Sequence, residues 1–356
     1  LPFPILAKGS GGTANAVPFN LTTLPARNPL QLIAQNLGCA TGSGPAGWME
    51  EDGQTLGLGV EVMYDYFWVI LMRRVRSKLR SLLREGAIIL APGVFDGLGA
   101  RMVEQAGFPV VYATGGGIAR SMGFPDLGLI SFTEVLQRVK EIVRASSLPV
   151  IADADTGYGS ALNVIRTVKE FEDAGVAAFH IEDQIFPKRC GHYEGQSLIS
   201  VQEMTGKIEA AVHARQDPEM VIIARTDARS VFGLDEAISR ARVFVEAGAD
   251  AIFVEAPRSL EELEIIGRQV KGPLVFNMTV GGKSPAVSTA KLQKLGFNLV
   301  LFPSDLQRVF IGGARRVLEA RLRGEVDDLE GMSSFKERDK LVDLDGYLDL
   351  EKLYVR

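Results

Sequence analysis

A chain of 356 residues with 46% hydrophobic and 23% charged residues is globular in composition, and it is long enough for one large domain or two ordinary ones. Its formal net charge of −5 supplies no basic stripe, so nucleic acid is not an expected partner. Two cysteines, Cys39 and Cys190, and three histidines cannot build a disulfide framework and argue against a structural zinc site. A reducing compartment, cytoplasmic or mitochondrial, is therefore expected.

Residues 1–60 are rich in Gly, Pro, Ala, Thr and Asn and carry no sustained period. Residues 1–71 are read as an irregular extension with no assigned function. The apolar run YDYFWVILM (64–72) is interrupted by Asp65 and closed by Arg73 and Arg74. It falls short of the roughly 20 apolar residues that span a bilayer, so no membrane partner is expected. Met72 opens MRRVRSKLRSLLREG, which predicts a basic amphipathic helix at the start of a catalytic domain covering 72–356.

From residue 87 short apolar runs recur: AIILAP (87–92), PVVYAT (109–114), PVIADAD (149–155), AAFHIED (177–183), MVIIARTD (220–227), DAIFVEA (250–256), PLVFN (273–277) and NLVLFP (298–303). Amphipathic stretches such as SFTEVLQRVKEIVRA and LDEAISRARVFVEAG separate them, and several end on Ala-Gly, a helix stop. Eight strand–helix units predict an α/β fold, a (β/α)8 TIM barrel. An open doubly wound sheet would carry GxGxxG after its first strand. Here GGG (115–117) follows the second strand instead.

In such a barrel the active site lies at the C-terminal strand ends. Those ends carry Tyr112 and Thr114, Asp153 and Asp155, His180, Glu182 and Asp183, Arg225 and Asp227, Glu255, and Asn277 with Thr279. Carboxylates crowded at successive ends repel unless a cation neutralises them. An all-oxygen shell suits Mg2+, or Mn2+, with Asp153 touching the ion and Asp155 and Glu182 holding its waters. A salt-bridge network with Arg225 and Lys188 is the alternative. Arg225 offers a fork for a substrate carboxylate, and Gly115, Gly116 and Gly117 expose backbone N–H groups as a second anion cradle.

The segment EDQIFPKRCGH (182–192) opens a long loop that runs to about Ser200, the kind of loop that serves as a lid. Arg189 and Lys188 beside Cys190 predict a lowered thiol pKa. On a closing loop the thiol could give a proton to a carbanion, or its thiolate could remove one. Covalent attack through Cys190 and His192 and an inert surface cysteine are the other readings.

YATGGG (112–117), FPDLG (124–128), DADTGYG (153–159), HIEDQIFPKRCGH (180–192), ARTDA (224–228), VEAP (254–257) and NMTVGGKSP (277–285) together resemble the isocitrate lyase and phosphoenolpyruvate mutase superfamily. The likeness runs from about residue 84 to 322. It implies a TIM barrel, a metal-stabilised enolate, and metal-shell roles for Asp153, Asp155 and Glu182. It also implies substrate-binding roles for Arg225, Gly116, Gly117 and Asp126, and it puts Cys190 at the position of the lyases' proton donor. Tyr112 falls on a base for the substrate hydroxyl, Thr114 stands where the lyases carry serine, and Arg308 matches a second carboxylate-binding arginine. Lys188, Gly191, His192, Glu255, Asn277 and Thr279 complete the expected substrate site.

The expected activity is Mg2+-dependent carbon–carbon cleavage of a small 2-hydroxy di- or tricarboxylate, such as 2-methylisocitrate. The alternatives are a carboxyphosphonoenolpyruvate phosphonomutase, an oxaloacetate hydrolase and, from another class, a catalytically inactive binding barrel. Phosphoenolpyruvate mutase itself is disfavoured, because that branch lacks the KRCGH loop. With the apolar content of the last helix, the resemblance implies a homotetramer that exchanges C-terminal helices.

Overall fold

The computed structural model of the chain describes residues 50–51, 54–55, 60–327 and 330–355, so most of the irregular extension read for residues 1–71 lies outside the described residues, and its last part, from Val60, is helical instead. By packing, the chain divides into Leu1–Asp65 and Tyr66–Arg356. In the first unit Glu50–Glu51 and Gln54–Thr55 pair antiparallel. Everything that follows concerns the second.

Eight parallel strands close into a barrel in sequence order: β1 (Ile89–Val94), β2 (Val111–Ala113), β3 (Val150–Asp153), β4 (Ala178–Glu182), β5 (Val221–Thr226), β6 (Ala251–Val254), β7 (Leu274–Asn277) and β8 (Phe297–Phe302). The ring closes through β8 and β1, with Leu299 beside Ile89 and Leu301 beside Ala91. Each strand falls within two residues of its apolar run, because parallel strands covered on both faces read as continuous β-branched stretches. Residues facing the helices form one large core, and a smaller cluster fills the barrel interior.

The outer helices are α1 (Val60–Glu85), α2 (Gly97–Gln105), α3 (Gly115–Ser121), α4 (Phe132–Ala145), α5 (Ala161–Asp173), α6 (Val201–Ala214), α7 (Ala228–Val231), α8 (Leu234–Glu246), α9 (Leu260–Gln269), α10 (Thr289–Lys294) and α11 (Asp305–Leu322). Two exposed helices follow, α12 (Phe335–Leu341) and α13 (Leu344–Tyr354). The Ala-Gly stops behave as read: Ala106, Ala174 and Ala247 cap α2, α5 and α8, and Gly107, Gly175 and Gly248 take the left-handed conformation that glycine tolerates.

The helix expected from Met72 begins earlier, at Val60. Its lower part explains its basic character. Leu79 and Leu83 join the interior cluster at the strands' N-terminal ends. Arg76 donates to the carbonyl of Val176 at 2.9 Å, and Arg80 donates to that of Met220 at 3.0 Å and to Asp250 at 2.9 Å. The arginines satisfy carbonyls where strands begin, which leaves the opposite rim free for chemistry.

Candidate active site

The C-terminal rim gathers side chains from every strand end between β2 and β7. Tyr112, buried in β2, places its hydroxyl 3.0 Å from His180 Nε2 and 3.4 Å from Asp153 Oδ2. Asp153 also accepts the N–H of Gly115 at 3.2 Å and that of Asp155 at 3.0 Å. The latter bond helps to hold Asp155 at φ 47, a left-handed conformation that a non-glycine residue adopts only under constraint.

Behind β2 the three glycines do not form a free turn. They open α3, and the Thr114 hydroxyl accepts the N–H of Gly117 at 3.4 Å as its N-cap. With Gly115 bonded to Asp153, Gly116 is the one of the three whose N–H is uncommitted among the described residues. The glycines are needed for space. A Cβ on Gly115 would lie 2.6 Å from Asp153 Oδ2, and one on Gly116 would lie 2.8 Å from Asp126 Oδ2.

Lys188, from the loop after β4, reaches Asp126 at 2.6 Å and Asp155 at 2.9 Å. Arg225 donates through Nε and Nη2 to Asp227 at 2.9 and 2.8 Å, with Glu182 3.2 Å from Nε and Glu255 3.4 Å from Nη1. The fork expected for a substrate carboxylate is thus largely engaged by the protein's own acids, leaving Arg225 at most two N–H groups for a ligand.

The loop itself is pinned at both ends. Ile185 donates to Ser197 O at 2.8 Å and Ile199 to Asp183 O at 2.9 Å, and α6 begins at Val201 behind its Ser200 cap. Gln184 holds Arg189 by two bonds of 2.8 and 2.9 Å, while Gln196 donates to the carbonyls of Cys190, Gly191 and Tyr193. The backbone N–H of Lys283 donates to His192 Nδ1 at 3.1 Å, which puts the ring proton on Nε2, 3.5 Å from Glu255. Asn277 donates to Glu255 at 3.1 Å, and Thr279 donates to Asn277 Oδ1 at 3.1 Å. Arg308 stays apart: it is exposed and donates to Val280 O at 2.8 Å.

Burial sets the protonation states. It pushes the Cys190 thiol up, with Asp126 adding to the effect, to about 11. The expectation of a lowered thiol pKa is therefore corrected. Lys188 is neutralised by two carboxylates, and Arg189 is exposed. Burial and then Asp153 raise the Tyr112 phenol well above its ordinary value, and burial lowers His180 to about 4. Both groups are therefore neutral at pH 7. Burial raises Asp155 to about 6 and Glu182 well above the usual carboxylate range.

Among the described residues no three His, Cys, Asp or Glu side chains are disposed to grip one ion, because Lys188 occupies Asp155 and Arg225 approaches Glu182. The salt-bridge network is present. Yet six buried carboxylates (Asp126, Asp153, Asp155, Glu182, Asp227, Glu255) face only two buried cations, Lys188 and Arg225. Both oxygens of Glu182 are buried without a hydrogen-bond partner. A site so rich in anionic oxygen fits one hard divalent cation carried on few direct ligands and several waters.

Three contributors were given no role from sequence, although His180 and Asp227 stand among the polar strand-end residues named there. His180 shares its strand face with Glu182, a period-two signal that a buried polar alternation in β4 carried. Asp227 orients Arg225 from two residues on. Arg120, the one basic residue in GGGIARS, folds back to within 3.0 Å of where a Gly116 Cβ would stand.

The sequence profile of the family described as phosphoenolpyruvate phosphomutase matches residues 79–322. The chain belongs to that family. Among curated members it is 46% identical over 229 residues to 2,3-dimethylmalate lyase of Eubacterium barkeri, covering 64% of this chain and 79% of that protein. It is 42% identical over 281 residues to 2-methylisocitrate lyase of Halalkalibacterium halodurans, covering 79% and 93%. It is also 39% identical over 288 residues to the chloroplastic carboxyvinyl-carboxyphosphonate phosphorylmutase of Arabidopsis thaliana, covering 79% and 85%. The crystal structure of a 2,3-dimethylmalate lyase, described as a PEP mutase/isocitrate lyase superfamily member, superposes with TM-score 0.74 at 36% identity over 80% of this chain and 95% of that one. A phosphonopyruvate hydrolase complex with oxalate and Mg2+ superposes with TM-score 0.73 at 31% identity over 79% and 99%. This family member is accordingly an enzyme of a superfamily of carbon–carbon lyases and mutases in which divalent metal use occurs. No helix among its described residues is long and apolar enough to cross a membrane.

Proposed function

We propose that this enzyme is a divalent-cation-dependent lyase that cleaves a carbon–carbon bond of a small 2-hydroxy di- or tricarboxylate, with 2-methylisocitrate and 2,3-dimethylmalate as the leading candidates. The observation that carries the reading is a neutral, half-buried thiol, Cys190, closed by its loop over a buried acidic site that contains a neutral phenol, Tyr112.

Asp153, with Asp155 and Glu182 through water, would hold Mg2+ (or Mn2+), which supplies electrostatic stabilisation of developing oxyanion charge. The residues do the rest. Gly116 N–H and the free donors of Arg225 hold and orient substrate oxygens. Tyr112, as the phenolate, takes the substrate's hydroxyl proton and becomes the neutral phenol that its burial favours, while its 3.0 Å contact with His180 Nε2 fixes the ring. The bond from the hydroxyl-bearing carbon to its neighbour breaks. The first carbon becomes a carbonyl, and the bonding pair stays on the second. Cys190 Sγ gives its proton to that carbanion, a step that needs the thiol rather than the thiolate. Gly191 and His192 seat the loop on Arg225 and Glu255 and keep bulk water out.

A coupled assay for 2-oxo acid release from both acids with Mg2+ tests this. Cleavage of one acid that is abolished by excess EDTA and restored by Mg2+ is expected, and undiminished turnover in EDTA would refute the scheme. The likeness to the phosphorylmutase supports a second reading, formation of a phosphorus–carbon bond. Phosphorus NMR of a phosphonate product decides for it.

A further inference from the structure

We propose that Arg120 determines substrate specificity by taking the distal carboxylate of a tricarboxylate substrate, an inference that rests on the lyase reading above. Arg120 stands in the last turn of α3, four residues after Gly116. Its Nη1 lies 3.0 Å, and Asp126 Oδ2 2.8 Å, from the point a Gly116 Cβ would occupy, so an arginine whose side chain is exposed overall brings its guanidinium tip to the cradle. The Tyr193 side chain, on the loop that covers the site, is its hydrogen-bond partner, and Asp126 and Cys190 lie nearby.

Charge pairing separates Arg120 from the other site cations. Lys188 is held by Asp126 and Asp155, and Arg225 by Asp227, Glu182 and Glu255. Among the described residues no carboxylate oxygen lies within 4.0 Å of the Arg120 guanidinium. Arg308, the other candidate at the rim, is turned onto the Val280 carbonyl. A substrate carboxylate beyond those near Asp153 and Gly116 would meet six protein carboxylates and needs a cation of its own. Arg120, bonded to Tyr193 but to no carboxylate, keeps further donors near the thiol, and its planar fork suits a carboxylate.

The test is steady-state cleavage of 2-methylisocitrate, a tricarboxylate, and 2,3-dimethylmalate, a dicarboxylate, by wild type, Arg120→Ala, Arg120→Lys and Tyr193→Phe. Arg120→Ala should raise KM for the tricarboxylate about tenfold or more while changing kcat, and KM for the dicarboxylate, by less than about twofold. Arg120→Lys should recover part of the loss, and Tyr193→Phe should keep the wild-type preference. Equal loss on both acids, or the same loss in Tyr193→Phe, would make Arg120 a loop latch and overturn the proposal. Calorimetric binding of the inert acids tricarballylate and succinate, with Mg2+ present, reads the same preference without turnover. If neither hydroxy acid is cleaved, the lyase reading fails. A tricarballylate preference that vanishes in Arg120→Ala still upholds Arg120, and one that persists there refutes it.

Discussion

Cys190 enters the reaction as an acid because the fold keeps it protonated. With the thiol pushed up to about 11, its proton is retained throughout the neutral range and lost only as pH rises through that value. Alkylation by iodoacetamide, which needs the thiolate, should therefore be slow at pH 8 and still be rising at about pH 10–11, where an ordinary thiol has levelled off. Peptide mapping of Cys190 modification against pH checks this, and a plateau below pH 9 would contradict it. Cys190→Ser should lower kcat by about 100-fold or more, since a hydroxyl is a far weaker acid, with little change in KM. The position of this cysteine was legible from KRCGH, but its protonation was not. Sequence adjacency to Lys188 and Arg189 says nothing of where their charges go. One is neutralised by Asp126 and Asp155, and the other lies exposed. For the same reason Arg225 read as an open fork. Only the fold brings Asp227, Glu182 and Glu255 onto it.

At the scale of elements the strands were legible to within two residues, because runs such as MVIIARTD combine β-branched content with a helix stop before and polar residues at the end. The end of the cysteine loop was legible too, since Ser200 followed by Glu203 is an N-cap signal. The start of α1 was not. Its basic stretch from Met72 marks the part that anchors strand carbonyls, while the preceding apolar turns carry no polar boundary. How tightly the loop seats was equally hidden. A Cβ at Gly191 would lie 2.5 Å from Glu255 Cγ and 2.6 Å from Arg225 Nη2, so glycine permits the loop to close onto the site. Gly191→Ala should hold the lid off by a fraction of an ångström, lowering kcat/KM by about tenfold or more while thermal unfolding stays within a few degrees. Unchanged kinetics in this variant would mean that closure does not depend on that contact.

At the scale of the whole molecule, the described residues leave large apolar side chains exposed on the last three helices. Leu318 and Leu322 on α11 are 69% and 90% exposed, and Phe335, Leu353 and Tyr354 on the last two helices are 75%, 66% and 71% exposed. Scattered exposed leucines are ordinary, but these recur on three consecutive helices, of which α12 and α13 have no buried residue. Helices of 7 and 11 residues are too short to be stable by themselves in water, so something must cover them. A second copy of the same chain would supply a complementary apolar face, and the homotetramer with exchanged C-terminal helices remains a proposal. Light scattering of the full chain should then give four times the single-chain mass. Leu318→Glu combined with Leu322→Glu should split the assembly, because two charges buried in an apolar interface cost several kcal/mol. A wild-type mass of one chain would refute the assembly. A double variant that kept the full mass would move the interface off α11.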